Sequence, residues 1–113
     1  MFENLSLDDY KAKFHDAAVD HLLLDVRSED EFAQIRIPGA INIPLEDLST
    51  EADEVADSAN GRPIVMVCRT GSRSMLGAQI LRMNGITEPV IYNLSGGTKG
   101  WYEHQWPVES DTE

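Results

Sequence analysis

The segment Ile64-Val65-Met66-Val67-Cys68-Arg69-Thr70-Gly71-Ser72-Arg73-Ser74 runs from a strand, through a tight loop, into a helix. Its first four residues are all apolar, as in a strand covered on both faces. The loop is built of small and cationic residues. From Ser74 the spacing of Leu76, Ile80 and Met83 predicts a helix with one apolar stripe, and Gly85 is a natural C-terminal stop. Cys68 therefore sits at the carboxyl end of the most apolar strand, at the mouth of the following helix.

Working outward, the same alternation recurs. Residues 2–5 read as a short strand, and Ser6 with Asp9 opens a helix over 7–17 carrying Leu7, Tyr10 and Phe14 at helical spacing. Residues 21–26 form a second buried strand. Ser28 with Glu31 is another capping box, whose short helix is expected to end at Pro38-Gly39, before a brief strand over 40–43. The stretch 46–57 holds six acids and no base, with a thin apolar edge of Leu45, Leu48 and Val55, and reads as a solvated helix. Residues 89–94 make a last strand, and Gly96-Gly97 turns into a short aromatic helix around Trp101. Such alternation predicts an α/β fold: a central parallel sheet of about five strands with helices on both faces. In such sheets ligands bind at the carboxyl ends of strands.

With 113 residues the chain is expected to be one domain over 1–113. The balance of 9 basic against 20 acidic residues, net −11, argues against nucleic acid or an anionic membrane as partner, because both need a basic face. Apolar runs are far too short to span a bilayer, and the acidic N-terminal residues lack the pattern of a secretory signal. A cytoplasmic protein is the expectation. Its single cysteine forms neither an internal disulfide nor a multi-thiolate zinc site, so Cys68 is either a small buried hydrophobe or a reactive thiol.

The surroundings of Cys68 favour reactivity. A thiol ionises more easily at a helix N-terminus or beside a cation, and Arg69 and Arg73 flank it. Residues 61–86 contain four arginines and no acid, an electropositive island on an acidic chain. Thr70, Gly71 and Ser72 are small enough for the backbone to curl and aim its N–H groups inward as an anion-binding nest. An arginine in the first turn of a helix is unfavourable unless an anion is near.

The chain resembles the rhodanese family of sulfurtransferases. The resemblance is carried by Leu24-Asp25-Val26-Arg27, Glu31-Phe32, Ile37-Pro38-Gly39-Ala40-Ile41-Asn42-Ile43-Pro44, the loop from Cys68 to Ser74, and Asn93-Leu94-Ser95-Gly96-Gly97 followed by Gly100-Trp101. The resemblance implies a Cys68 persulfide, formed from thiosulfate or a persulfide donor and passed to cyanide or to a thiol such as thioredoxin or glutathione, with no cofactor and no metal. Splitting the transfer in two is covalent catalysis with ping-pong kinetics. Backbone N–H groups from Arg69 through Thr70, Gly71, Ser72 and Arg73 to Ser74 would stabilise the persulfide, and Arg69 and Arg73 would attract the donor's sulfonate end. Related phosphatases and arsenate reductases place five residues between cysteine and arginine, whereas four lie between Cys68 and Arg73. The shorter ring suits one sulfur atom rather than a tetrahedral oxyanion. A sulfur carrier serving a partner protein is the alternative reading. An inactive regulatory module ranks last because such modules usually lose the nucleophile.

Other features have plainer readings. Asp25 and Arg27 hold the sheet end through hydrogen bonds. Ile35-Arg36 replaces the Gly-His pair common in relatives, which removes any role for that histidine. His15, His21 and His104 are scattered and offer no ligand cluster. The order in 95–100 is wrong for a phosphate-binding P-loop, and Trp101 and Trp106 read as core or rim aromatics.

Overall fold

The computed structural model describes residues 2–88 and 90–111. Five strands, β1 (Glu3–Leu5), β2 (Leu22–Asp25), β3 (Ile41–Asn42), β4 (Ile64–Val67) and β5 (Ile91–Leu94), pair in parallel in the order β1-β5-β4-β2-β3. The strand expected over 89–94 is β5; Pro89 lies outside the described residues. The helices are α1 (Leu7–Tyr10, continued by a π-helical turn over Lys11–His15), α2 (Glu29–Gln34), α3 (Ala52–Ala59), α4 (Ser72–Met83) and α5 (Gly97–Glu103).

Period-two alternation along β4 divides the core between the two faces of the sheet. Ile64 and Met66 pack with Leu22 and Leu24, against Val55 and Ala59 of α3 and Ala78 and Leu81 of α4. Val65 and Val67 turn to the opposite face, against Tyr10, Phe14 and Trp101. Each of these side chains on β4 is fully buried, worth about 2 kcal/mol apiece in area removed from water. The α/β expectation, with helices on both faces, is met.

Local boundaries differ in ways that have physical causes. The first helix stops at His15 rather than 17, and Ala18 takes a positive φ of 54° where the chain turns toward β2. Ser28 and Glu31 form the expected capping box, but α2 ends at Gln34 because Ile35 is already extended, well before Pro38. The acidic stretch is a 3-10 turn over Leu45–Asp47 followed by α3, its inner edge made by Leu48, Ala52, Val55 and Ala59. The apolar stripe expected on the helix after Cys68 is corrected: Leu76 and Met83 are exposed and Ile80 only half-buried, while Ser74, Gly77, Ala78 and Leu81 face the sheet. Small residues are needed there, since a Cβ on Gly77 would press to 3.0 Å from the Met66 side chain and 3.1 Å from Leu48.

Strand order fixes where a site can form. The β2-α2-β3 crossover leaves β2 in one direction, and β4-α4-β5 leaves β4 in the other. A crevice opens between the carboxyl ends of β2 and β4, the switch point at which open parallel sheets bind ligands. In register there, Asp25 pairs with Val67 and the Val26 N–H donates to the Val67 carbonyl at 2.9 Å. The next residues are Arg27 on one side and Cys68 on the other.

Candidate active site

Gly71 carries φ +115° and precedes the first turn of α4, so the chain curls back over the sulfur of Cys68. The Gly71 N–H donates to Cys68 Sγ at 3.0 Å, and the Ser74 hydroxyl lies 3.3 Å from the same sulfur. Cys68 itself is buried. Burial pushes its thiol up, but the Ser74 hydroxyl and the N–H groups of Ser74, Gly71 and Thr70 outweigh this and hold it below the ordinary thiol range.

The direction of those N–H groups is set from behind. The carbonyls of Cys68, Arg69 and Thr70 accept from the N–H groups of Thr98 (2.9 Å), Lys99 (3.0 Å) and Gly96 (3.3 Å). In a trans peptide the N–H points opposite to its carbonyl. Tying three successive carbonyls to the start of α5 therefore turns the N–H groups of Arg69, Thr70 and Gly71 the other way, toward the mouth of the loop. Gly97 makes the approach possible, because a Cβ there would run into the Cys68 and Arg69 carbonyls.

The sequence-predicted residues thus divide. Cys68, Thr70, Gly71 and Ser74 converge on the sulfur through backbone and hydroxyl groups. Ser72 is exposed at the start of α4, and Arg69 is exposed beside the loop. Arg73 departs from the expectation of a charge waiting for the donor. Its guanidinium grips Glu31 at 2.8 and 3.0 Å, a two-pronged ion pair that spans from α4 to α2. Arg73 lowers the Glu31 carboxyl to about 2, helped by the Ser28 N–H and hydroxyl. The capping box delivers this carboxylate to the crevice rim, and the cation in the first turn of α4 finds its anion there.

Asn93, Asp25 and Arg27, for which the sequence predicts no part in the chemistry, also join the site. Ser74 Oγ makes a short hydrogen bond to Asn93 Oδ1, and Asn93 in turn donates to Asn4 Oδ1 at 3.1 Å. Asn93 lies one strand over from Cys68, and only the sheet order could have placed it. Asp25 and Arg27 are a buried pair joined by three contacts of 2.8 to 3.1 Å, with Arg27 also donating to the Ile35 carbonyl at 2.7 Å. They brace the far wall of the crevice, as their reading as structural residues expects.

Elsewhere, His21 bonds the Tyr10 hydroxyl at 2.8 Å and His104 bonds the Gly100 carbonyl at the end of α5. Burial keeps the Tyr10 phenol protonated far above its usual range. Trp101 is core and Trp106 half-buried against it. Arg36 serves the C-terminal segment, pairing with Asp111 at 2.8 Å. Among the described residues no cluster of His, Cys, Asp and Glu is arranged to hold a metal, and no helix is long and apolar enough to cross a membrane.

A parallel sheet with a cysteine cradled by backbone N–H groups at its switch point defines an α/β domain built around a cysteine loop. Residues 6–104 match the rhodanese-like domain, and the chain belongs to that family. It is 38% identical over 101 residues to the uncharacterized protein YqhL of Bacillus subtilis, covering 89% of this chain and 73% of that one. A sulfurtransferase of Allochromatium vinosum is 33% identical over 89 residues, 79% of this chain and 78% of the relative. Thiosulfate sulfurtransferase from Pseudomonas aeruginosa superimposes with a TM-score of 0.82 at 30% identity, over 98% of this chain and 21% of that larger one.

Proposed function

We propose that the protein is a sulfurtransferase, acting as one domain over 1–113, that moves a sulfane sulfur through a persulfide on Cys68. The observation that carries this reading is the sulfur's position under converging donors from Gly71, Thr70 and Ser74. In the first step the Cys68 thiolate attacks the outer sulfur of thiosulfate, or of a persulfide donor. The new S–S bond forms as the old one breaks, and sulfite, or the donor thiolate, leaves with the electron pair. In the second step a thiolate or cyanide attacks the outer sulfur and Cys68 leaves as thiolate. Both states of the enzyme carry negative charge inside the loop, where fixed N–H dipoles replace water without reorganising. Four residues between Cys68 and Arg73 give a ring sized for one sulfur, which favours this chemistry over phosphoryl transfer or arsenate reduction. Thiols such as glutathione or thioredoxin are the acceptors this reading implies, in the cytoplasm, where thiols stay reduced.

The test is intact mass after exposure to thiosulfate and removal of excess donor. A gain of one sulfur atom is expected in the wild type and none in Cys68→Ser, which keeps the fold and shape but is not ionised near neutral pH. Sulfur transfer retained by Cys68→Ser overturns the proposal.

A further inference from the structure

Leu76, Ile80 and Met83 keep the spacing of a buried helix face, yet the sheet makes no use of them. Leu76 is 48% exposed and Met83 85%, on a helix whose inner face is Ser74, Gly77, Ala78 and Leu81. Residues three and four apart are neighbours on a helix surface, so the three side chains form one continuous ridge. Arg73, three residues before Leu76, heads the same ridge and is held at the crevice rim by Glu31. The ridge therefore runs from the rim of the Cys68 crevice down the outer flank of α4.

Beside the ridge lies a groove of about 380 Å³ between α4 and the 3-10 turn, lined by Leu45, Glu46, Ser49, Ile80, Met83 and Asn84. Leu45 and Ile80 are half-buried and rest on the core below, which gives the groove a firm apolar floor. Met83 adds an unbranched, adaptable wall. The Ser49 hydroxyl donates to Asn84 Oδ1 at 3.4 Å and ties the two sides together.

The charges around this groove have one sign. Glu46 also lines a neighbouring hollow of about 300 Å³ together with Glu29, Asp30 and Asp47. None of these four exposed carboxylates makes an ion pair among the described residues. Residues 37–61 contain no lysine or arginine. On α4 itself Arg73 is spent on Glu31, and Arg82 reaches the Ile86 carbonyl at 2.7 Å. An apolar floor beside unpaired carboxylates calls for the complementary pattern, apolar anchors flanked by cations. The same signs speak against a second copy of this chain. In a two-fold pairing a patch meets itself, which here sets carboxylates against carboxylates.

We propose that this flank of α4 docks an amphipathic helix of a basic protein partner. Its apolar residues, spaced four and three apart, fill the groove along Leu76, Ile80 and Met83, while its flanking lysines or arginines meet Glu46, Asp47, Glu29 and Asp30. Apolar strips rimmed by polar groups mark interaction surfaces, and a helix laid in a groove is a recurring mode of recognition. Because the ridge starts at Arg73, the docked helix holds its protein beside the mouth of the Cys68 loop. The surface is the same whatever Cys68 carries, so the proposal stands apart from the persulfide reading.

The probe is a stapled helical peptide of about 18 residues with leucines along one face and lysines on both flanks. It is titrated into the whole protein labelled at its methionine methyl groups and followed by NMR. Saturable movement of the Met83 signal is expected, while Met66, sealed in the core, stays unmoved. Affinity is expected to fall about tenfold in the double variant Leu76→Ser, Met83→Ser. In Glu46→Gln, Asp47→Gln it is expected to fall about fivefold at low salt and to depend less on salt. All four positions are exposed, and an unchanged Tm checks that the fold is kept. A Met83 signal unmoved at millimolar peptide overturns the proposal. Equal binding by a scrambled peptide, or by one with glutamate in place of lysine, overturns it too, because the apolar spacing or the charge then plays no part. Sedimentation of the protein alone is expected to give a monomer. A dimer that Leu76→Ser, Met83→Ser dissolves would assign the face to a second copy and overturn the proposal.

Discussion

The Ser74 hydroxyl has one hydrogen and lies within reach of two acceptors, Cys68 Sγ at 3.3 Å and Asn93 Oδ1 closer still. With the thiol protonated, S–H can donate to Ser74 while Ser74 donates to Asn93. Once sulfur ionises, the serine hydrogen is wanted by the thiolate, and Asn93 competes for it. The two residues thus act on the nucleophile with opposite sign. Ser74→Ala is expected to slow alkylation of Cys68 by iodoacetamide at neutral pH about tenfold, the size of one hydrogen bond to a charged group. Asn93→Leu is expected to speed it. Alkylation rates followed against pH separate these effects from a general loosening of the loop, which would move both variants in the same direction.

The Arg73–Glu31 pair gives an acid-side signature. Glu31 is held at about 2, below its ordinary value of 4.5, chiefly by the Arg73 hydrogen bonds. A carboxyl depressed in the folded state stabilises the protein above its unfolded value, and that stabilisation is lost as pH falls from about 4.5 toward 2. Because both side chains are partly open to water, its worth is about 1 kcal/mol. Glu31→Gln keeps a capping side chain, so its Tm deficit is expected to be present at pH 7 and to vanish near pH 2. A deficit that is the same at both pH values would place the loss in the cap rather than in the ion pair.

Much of this architecture is legible in the sequence, for a definite reason. The run Ile64 to Val67 reads as a strand covered on both faces and forms one, which stands Cys68 at the sheet's carboxyl edge. The Ser28–Glu31 capping box is a local contact, readable at three residues' separation. What escapes is tertiary. Arg73 and Glu31 are 42 residues apart, and Asn93 is 19 from Ser74. The buried face of α4 is misread because only Leu81 on it is large: Ser74, Gly77 and Ala78 make up the rest, a Cβ on Gly77 would already crowd Met66 and Leu48, and the apolar side chains Leu76 and Met83 face water. Hydrophobicity marks the inner face of a helix only where there is room for large side chains.

Ring size makes the reaction class testable. Inserting one glycine between Gly71 and Ser72 widens the loop, and the N–H groups of Thr70 and Gly71 no longer meet on one sulfur. Persulfide retention by intact mass is expected to fall at least tenfold, consistent with the loss of one such donor to an anion. The wild type is expected to leave an aryl phosphate intact. Efficient hydrolysis of the aryl phosphate by unmodified protein, without retention of sulfur, would assign the loop to phosphoryl transfer.

Gly97 and Gly85 separate steric from conformational cost. Both have positive φ, +57° and +89°, but a Cβ on Gly85 meets nothing within 4 Å, whereas one on Gly97 collides with the loop carbonyls. Gly85→Ala is expected to cost about 1 kcal/mol by denaturant unfolding, the backbone penalty alone. Gly97→Ala is expected to cost about 2–4 kcal/mol and to reduce sulfur loading in the protein that remains folded. Equal costs would mean that α5 shifts away from the loop without consequence.

The tie between α5 and the loop carbonyls also sets an order of events as the chain is made. All five strands of the sheet are complete at Leu94, so strand pairing and the face holding Met66 need nothing from Gly96, Thr98 or Lys99, whereas the face holding Val65 waits for Trp101. Until they dock, the carbonyls of Cys68, Arg69 and Thr70 lack these partners, and the loop keeps only the Gly71 turn into α4 and the contact of Ser74 with Asn93. The cradle around Cys68 is therefore completed last along the chain, by the segment that follows the sheet rather than by the sheet that carries the cysteine.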